Sequence, residues 1–315
     1  MLADMLPASF RVPQIFCIFA HMKKILFVTL SLAIFVAGCA PLRHIEELSK
    51  EADAALEAGE RERALDLYEQ IIAMHRENDR SIDGRLLRDA GLIAFELGET
   101  SKAIEYLDPV RHTNAADAQT YRALALSYRE IDNLSREIRM LEHYVDNYPE
   151  GGDFSEMQHR LFLTYVESLN FRQAYDLWPV LEGSPGEDEV LMSAYLEVLI
   201  ALDHRQRATR HAEEILAMNR NNLTALDWLA RHHFREADTL YRREMLAYEE
   251  NRTHRQYAQL LDALEIVNTN LRIALDYFTR LYNQNPTGEY ASYLANIYER
   301  FQDEENARYY RRRAQ

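Results

Sequence analysis

Helix breakers, lysines and cysteines are all scarce in this sequence. Ten glycines and eight prolines in 315 residues leave long stretches uninterrupted. That scarcity excludes collagen-like and Pro/Gly-rich low-complexity chains and points to a mostly helical protein. Two cysteines, Cys17 and Cys39, are too few for a disulfide framework. The apolar run from Ile25 to Phe35 has 11 residues, short of the about 20 that a membrane helix needs. Positive charge is also short: 36 Lys and Arg face 51 Asp and Glu, for a net −15. An acidic chain has no general attraction to nucleic acid or to an anionic bilayer, so no nucleic-acid partner is expected.

Catalytic signatures are missing as well. There is no HExxH and no Gly-rich phosphate loop, because the one glycine pair, Gly151-Gly152, follows Pro149 in a connector. His232 and Glu236 are four apart and share a helix face with His233 nearby, but two ligands do not make a metal site. That cluster is read as a polar helix face. No enzyme activity, metal or cofactor is expected.

What is present begins at Met22. Lys23 and Lys24 precede the apolar run, and Val36-Ala37-Gly38-Cys39 ends it. A basic start, a short apolar core and small residues at the cut are the parts of a secretory signal. The last four residues resemble a lipobox. The resemblance implies that Cys39 receives a diacylglyceryl group and becomes the first mature residue. Residues 1–21 do not fit a signal and are read as an extension upstream of the true start, 22–38 as the lipoprotein signal and 39–44 as the lipidated tether. Acyl chains of this kind contribute about 0.8 kcal/mol per buried methylene, so the anchor needs no protein charge. Ala40 follows the lipidated position. In Gram-negative lipoproteins Asp at that position tends to retain a protein at the inner membrane, so Ala40 implies the outer membrane, with the periplasmic face expected ahead of the cell surface.

From Ile45 onward one frame recurs. A small residue is followed by a bulky one, a helix break, an alanine and another bulky residue. Copies read Leu48, Ala52, Ala55, Gly59, Ala64, Tyr68, Ile71; Leu87, Gly91, Ala94, Gly98, Ala103, Leu107, Val110; and Tyr121, Ala125, Tyr128, Asp132, Leu141, Tyr144, Pro149. Later copies hold Phe162, Tyr165, Ala174, Trp178; Leu196, Leu199, Ala208, Ala212; Ala274, Phe278, Leu281, Pro286; and Ala295, Tyr298, Ala307. Glu137 stands where the third copy should have alanine. The pattern resembles the tetratricopeptide repeat over nearly all of 45–315. The resemblance implies an all-α solenoid: a right-handed superhelix of about seven helical hairpins, in which no unit buries its apolar face alone. The sixth unit, about 223–286, is longer. A break at Glu250-Asn251-Arg252-Thr253, with Thr253 as cap, gives two helices of roughly 40 to 48 Å at 1.5 Å per residue.

Solenoids of this family bind through the first helix of each unit. In this frame Arg85, Arg88, Arg122, Arg129 and His159 fall on that face, beside Leu92, Phe95, Leu126 and Leu163. Arginine among apolar residues suits a peptide with carboxylates. The competing reading pairs these arginines with local acids such as Glu96 and Glu130. The family's carboxylate clamp uses Asn where Leu92, Leu126 and Leu163 stand, which disfavours a chaperone-tail clamp. The expected function is a non-catalytic, lipid-anchored scaffold or adaptor for other envelope proteins, in an assembly or secretion complex. The alternative is a glycan- or nutrient-binding surface lipoprotein.

Overall fold

The computed structural model describes residues 44–182 and 189–315. Segments 1–21 and 22–38 and Cys39 lie outside the described residues. Among those described there are fourteen α-helices and no strand, and no helix is long and apolar enough to cross a membrane. The chain divides into two compact units, one ending at Asp132 and the other beginning at Asn133.

The first unit holds α1 (44–57), α2 (Arg61–Glu77), α3 (Gly84–Glu96), α4 (Thr100–Val110) and α5 (Ala118–Glu130). The second holds α6 (Leu134–Asn147), α7 (Phe154–Glu167), α8 (Phe171–Leu181), α9 (Glu189–Ala201), α10 (Arg205–Met218), α11 (Leu223–Glu250), α12 (His254–Gln284), α13 (Gly288–Arg300) and α14 (Glu304–Arg311). Within each unit successive helices pack on one another, and α3 meets α5, α7 meets α9 and α9 meets α11. Each unit is therefore a stack of helical hairpins, the arrangement of an α-solenoid.

The recurring alanines explain the stacking. Ala52, Ala64, Ala94, Ala103, Ala174, Ala208 and Ala274 are fully covered. A methyl side chain lets two helix backbones approach closely, and bulky neighbours such as Tyr128, Trp178 and Phe278 fill the space between helices. Glu137 is also fully covered, and its Oε1 accepts from Arg160 Nε at 2.9 Å and from Thr164 Oγ1 at 3.1 Å on α7. A buried carboxylate is tolerated when it is paired and hydrogen-bonded in this way.

The recurring breaks share one geometry. Gly59, Gly98, Asp132, Leu169, Asp203 and Gln302 all have φ between 50° and 78°. Each donates its backbone N–H to the carbonyl three residues back, as Gly59 does to Leu56 and Leu169 to Val166. In five of them the next residue donates to the carbonyl five back, such as Glu60 to Ala55 and His204 to Leu199. This pair of bonds closes a helix with a left-handed residue just beyond its end. Side chains cap other helices of the stack, among them α5, α11 and α12. Asp117 accepts from the Thr120 N–H at 2.9 Å, Asn222 from Ala225 at 2.9 Å and Thr253 from Gln256 at 3.2 Å.

The hairpin of α11 and α12 has helices of 28 and 31 residues, against 13 and 14 for α9 and α10. Its neighbour α13 ends at Arg300, which pairs with Asp238 and lies 4.9 Å over the Tyr241 ring. Beyond that level Tyr248 meets Tyr257 at 5.8 Å, and Leu260 and Ala263 are buried. Leu246, Tyr257 and Leu261 stand exposed near the tip.

Candidate functional site

In the first unit α3 and α5 carry the arginines singled out by the repeat frame. Asp83 caps α3 by accepting the Arg85 N–H at 3.0 Å, and this leaves the Arg85 side chain exposed one residue inside the helix. Arg88 follows one turn later and is half-buried. Its guanidinium reaches Asp89 at 3.0 Å and also Asp117, the residue that caps α5. Arg88 Nε is buried and has no hydrogen-bond partner. Burial pushes the Asp117 carboxyl upward, but hydrogen bonds from Arg88 and Thr120 outweigh it and hold the group below the usual carboxylate range. Burial raises Asp89, with the charge of Asp53 adding to it against the pull of Arg88.

Arg122 and Arg129 lie on α5, partly buried, and neither is without a partner. Leu92, Phe95 and Leu126 are partly exposed on the same helices. The structure thus brings Arg85, Arg88, Arg122 and Arg129 onto two packed helices of one unit. His159 is on α7 in the other unit and also has a partner. The local pairing differs in detail from the expected one. Arg88 pairs with Asp89 and Asp117, while Glu96 takes Arg61 at 2.5 Å. The reason is reach: Asp117 comes within range of Arg88 only because α3 and α5 pack together.

A second feature lies wholly in the second unit. An open cleft of about 510 Å³ runs over the first helices α9, α11 and α13. Ile200 and Asp203 come from the end of α9 and the turn after it, and Arg205 from the start of α10. Leu223, Asp227, Trp228, Arg231 and Arg235 come from α11, and Tyr290 from α13. The spacing on α11 is the cause. Asp227, Arg231 and Arg235 are four apart and therefore fall on one face, next to Trp228.

The cleft is strongly polarised. Arg231 Nε donates to both Asp227 oxygens at 2.9 and 2.8 Å, and Nη1 donates to Glu289 at 2.8 Å. The hydrogen bond and charge of Arg231 hold the Glu289 carboxyl below its ordinary range. Arg205 donates to Asp203 at 2.7 Å and is more than half exposed. Arg235 lies 5.7 Å over the Trp228 ring and, among the described residues, makes no ion pair. Trp228 is 7% exposed, and its indole N–H is buried without an acceptor. His232 stacks on the same indole at 6.1 Å, and His233 Nδ1 bonds Asn270 at 2.8 Å. Burial first, and then the charge of His233, lowers the His232 pKa. Among the described residues no group of three or more His, Cys, Asp or Glu is placed to hold a metal ion. The repeat frame gave no warning of this cleft, because its walls come from residues up to about ninety positions apart. The i, i+4 run of Asp227, Arg231 and Arg235 beside Trp228 is the signal that marks it.

No family model matches the sequence, and no curated protein matches it. Solved structures do match in fold. The C-terminal part of a TPR repeat-containing protein from Cytophaga hutchinsonii is 12% identical, with a TM-score of 0.50, over 84% of this chain and 93% of that one. The fold is that of tetratricopeptide-repeat proteins. Further likenesses are a tetratricopeptide repeat protein from Parabacteroides merdae and YrrB, a TPR protein with an unusual peptide-binding site. The first is 11% identical, with a TM-score of 0.41, over 86% of this chain and 92% of that chain. The second is 14% identical, with a TM-score of 0.45, over 60% of this chain and 96% of that chain. In tetratricopeptide terms, α9, α11 and α13 are the first helices of three successive pairs, so the cleft lies on the face formed by first helices.

Proposed function

We propose that this protein is a non-catalytic scaffold that binds other proteins of the cell envelope, held at the outer membrane by lipid on Cys39. The observation that carries the reading is the stacking of hairpins into a row of first helices bearing arginines among apolar side chains. Within each unit such a surface is pre-shaped, so a partner binds without first ordering it. The lipobox-like Val36-Ala37-Gly38-Cys39 supports the anchor, and Ala40 supports the outer membrane. A surface-bound adaptor gains from avidity, because the lipid confines it to the plane in which its partners sit. An assembly or secretion complex is the setting that fits this design.

The test is a crosslinked pull-down from membranes with the full-length protein, using Cys39→Ser as control. Stable recovery of one or a few envelope proteins by the wild type, and release of Cys39→Ser into the soluble fraction, are expected. Membrane retention of Cys39→Ser sinks the anchor. Recovery of no protein sinks the scaffold.

A further inference from the structure

We infer that a small cavity between α8, α9 and α10 binds a small zwitterion, an oxyanion joined by a short linker to an ammonium group. The cavity has a volume of about 150 Å³. Helix α10 supplies Arg207, Arg210, His211 and Glu214, α9 supplies Tyr195, and Glu182 stands just past the end of α8. Helices α8 and α10 are second helices of their pairs, so the cavity lies apart from the cleft over the first helices. The inference is independent of the protein-binding reading.

Three observations carry it. First, two arginines lack acids. Arg207 Nη2 donates to the Tyr195 hydroxyl at 2.8 Å and Nη1 to the Tyr175 hydroxyl, and the guanidinium lies 5.2 Å over the Tyr175 ring. Neutral phenols thus fix this guanidinium and leave its charge uncompensated. Arg210 makes no ion pair among the described residues, although Glu214 follows it at the i, i+4 spacing. Arg207 and Arg210 are three apart, so two like charges share a helix face, and an anion between them relieves the repulsion. Second, the floor holds a spare proton. Burial, against the opposing charge of Arg207, pushes the Tyr195 hydroxyl up to about 12, so it stays protonated. Its oxygen already accepts from Arg207, and among the described residues its proton has no acceptor. The two guanidinium groups and the phenol are donors, so the component that completes them is an oxyanion. Third, the opposite sign lines the same cavity. Among the described residues Glu182 makes no ion pair, and Glu214 meets only His211 Nδ1 at 3.4 Å. A simple anion would leave both carboxylates facing it, whereas an attached ammonium group pairs with them.

Volume sets the size of the ligand. A water occupies about 30 Å³ of liquid, so the cavity has room for about five. Drug-sized ligands take about 300–1,000 Å³. The space suits a molecule such as an amino acid or phosphoethanolamine and excludes a peptide segment or an oligosaccharide.

The experiment is titration calorimetry on the full-length protein. Glycine and O-phosphoethanolamine are compared with acetate, inorganic phosphate and ethanolamine. One zwitterion is expected to bind at least tenfold more tightly than any probe of a single sign. Glu182→Gln is expected to erase that margin, and Arg210→Gln is expected to weaken the zwitterion at least tenfold. Both side chains are exposed and unpaired, so the thermal midpoint is expected to hold. Arg235→Gln, among the first helices, is expected to change nothing. Where phosphoethanolamine binds better than glycine, flotation of Cys39→Ser with phosphatidylethanolamine vesicles, competed by free phosphoethanolamine, assigns the site to a lipid headgroup, and absence of flotation assigns it to a free solute. No binding of either zwitterion, equal binding of zwitterions and single-sign probes, or unchanged binding in Arg210→Gln and Glu182→Gln overturns the inference.

Discussion

Gly91 on α3 faces Leu107 on α4 so closely that a Cβ on Gly91 would stand 2.5 Å from the Leu107 Cγ and 2.7 Å from its Cδ2. Leu107 is fully buried and has no room to retreat. Gly91→Ala therefore forces the helices apart. Overpacking of this kind costs about 1–3 kcal/mol, against a helix-propensity gain of about 1 kcal/mol. The expected outcome is a lower thermal midpoint for Gly91→Ala. In a double-mutant cycle Leu107→Ala is expected to relieve part of that loss. Additive effects would mean that the two residues do not share the space.

Leu169 makes the opposite case. It holds φ at 60°, a conformation that Gly59 and Gly98 occupy in the first two breaks, and it is 71% exposed. A branched side chain pays roughly 1–2 kcal/mol in that region, and glycine does not. Leu169→Gly is expected to stabilise the protein by about 1 kcal/mol, read as a rise in thermal midpoint. A fall would show that the exposed leucine makes a contact worth more than its strain.

Arg88 and Arg85 should respond differently to charge reversal. Arg88→Glu would set a carboxylate against Asp89 and against Asp117, the cap of α5, so it is expected to lower stability by more than 1 kcal/mol. Arg85→Glu, on an exposed position, is expected to stay within about 0.5 kcal/mol of wild type. Arg85 is therefore the cleaner probe of a binding surface in the first unit. Equal destabilisation by both variants would contradict this assignment.

His232 gives a pH dependence with a definite sign. Its folded pKa lies below the ordinary 6.5 because of burial first and then the charges of His233, Arg235 and Arg205, with only Glu236 pulling the other way. Above about pH 6.5 both states hold it neutral and it contributes no slope. As the pH falls through 6.5 the unfolded chain takes up the proton first, so stability drops. Glu289 and Asp117 act further down, below the ordinary carboxylate range, because their folded values are lowered. Denaturant unfolding at pH 7 and pH 5 is expected to show a smaller loss for His232→Gln than for wild type. An identical loss would remove His232 from the account.

The helical hairpins were legible because their cause is local. Ala64, Ala103, Ala174 and Ala208 recur at near-constant spacing once Glu137 is counted in the place between Ala103 and Ala174, and a small residue is needed wherever two backbones touch. Thr253 was legible for the same reason, since a cap acts over three residues. Glu137 was visible as a departure from the frame, but its partners Arg160 and Thr164 were not, because an ion pair across two helices depends on packing rather than spacing. Partner choice failed to show in the same way for Arg88, whose second acid, Asp117, is 29 residues away. The cleft around Trp228 needed three helices in place before Arg205 and Tyr290 met Arg235's face. The expectation for Cys39 is of a different kind, since it rests on four adjacent residues, Val36-Ala37-Gly38-Cys39, that lie outside the described residues.

The contact of Arg300 with Asp238 and Tyr241 divides the long hairpin mechanically. On the near side α11 is flanked by α9, α10 and α13. On the far side about nine residues of α11, roughly 14 Å, rise toward the tip. Arg300 therefore sits at a fulcrum: a sideways load at Leu246 or Tyr257 acts on a short lever whose pivot is one guanidinium clamped between a carboxylate and an aromatic ring.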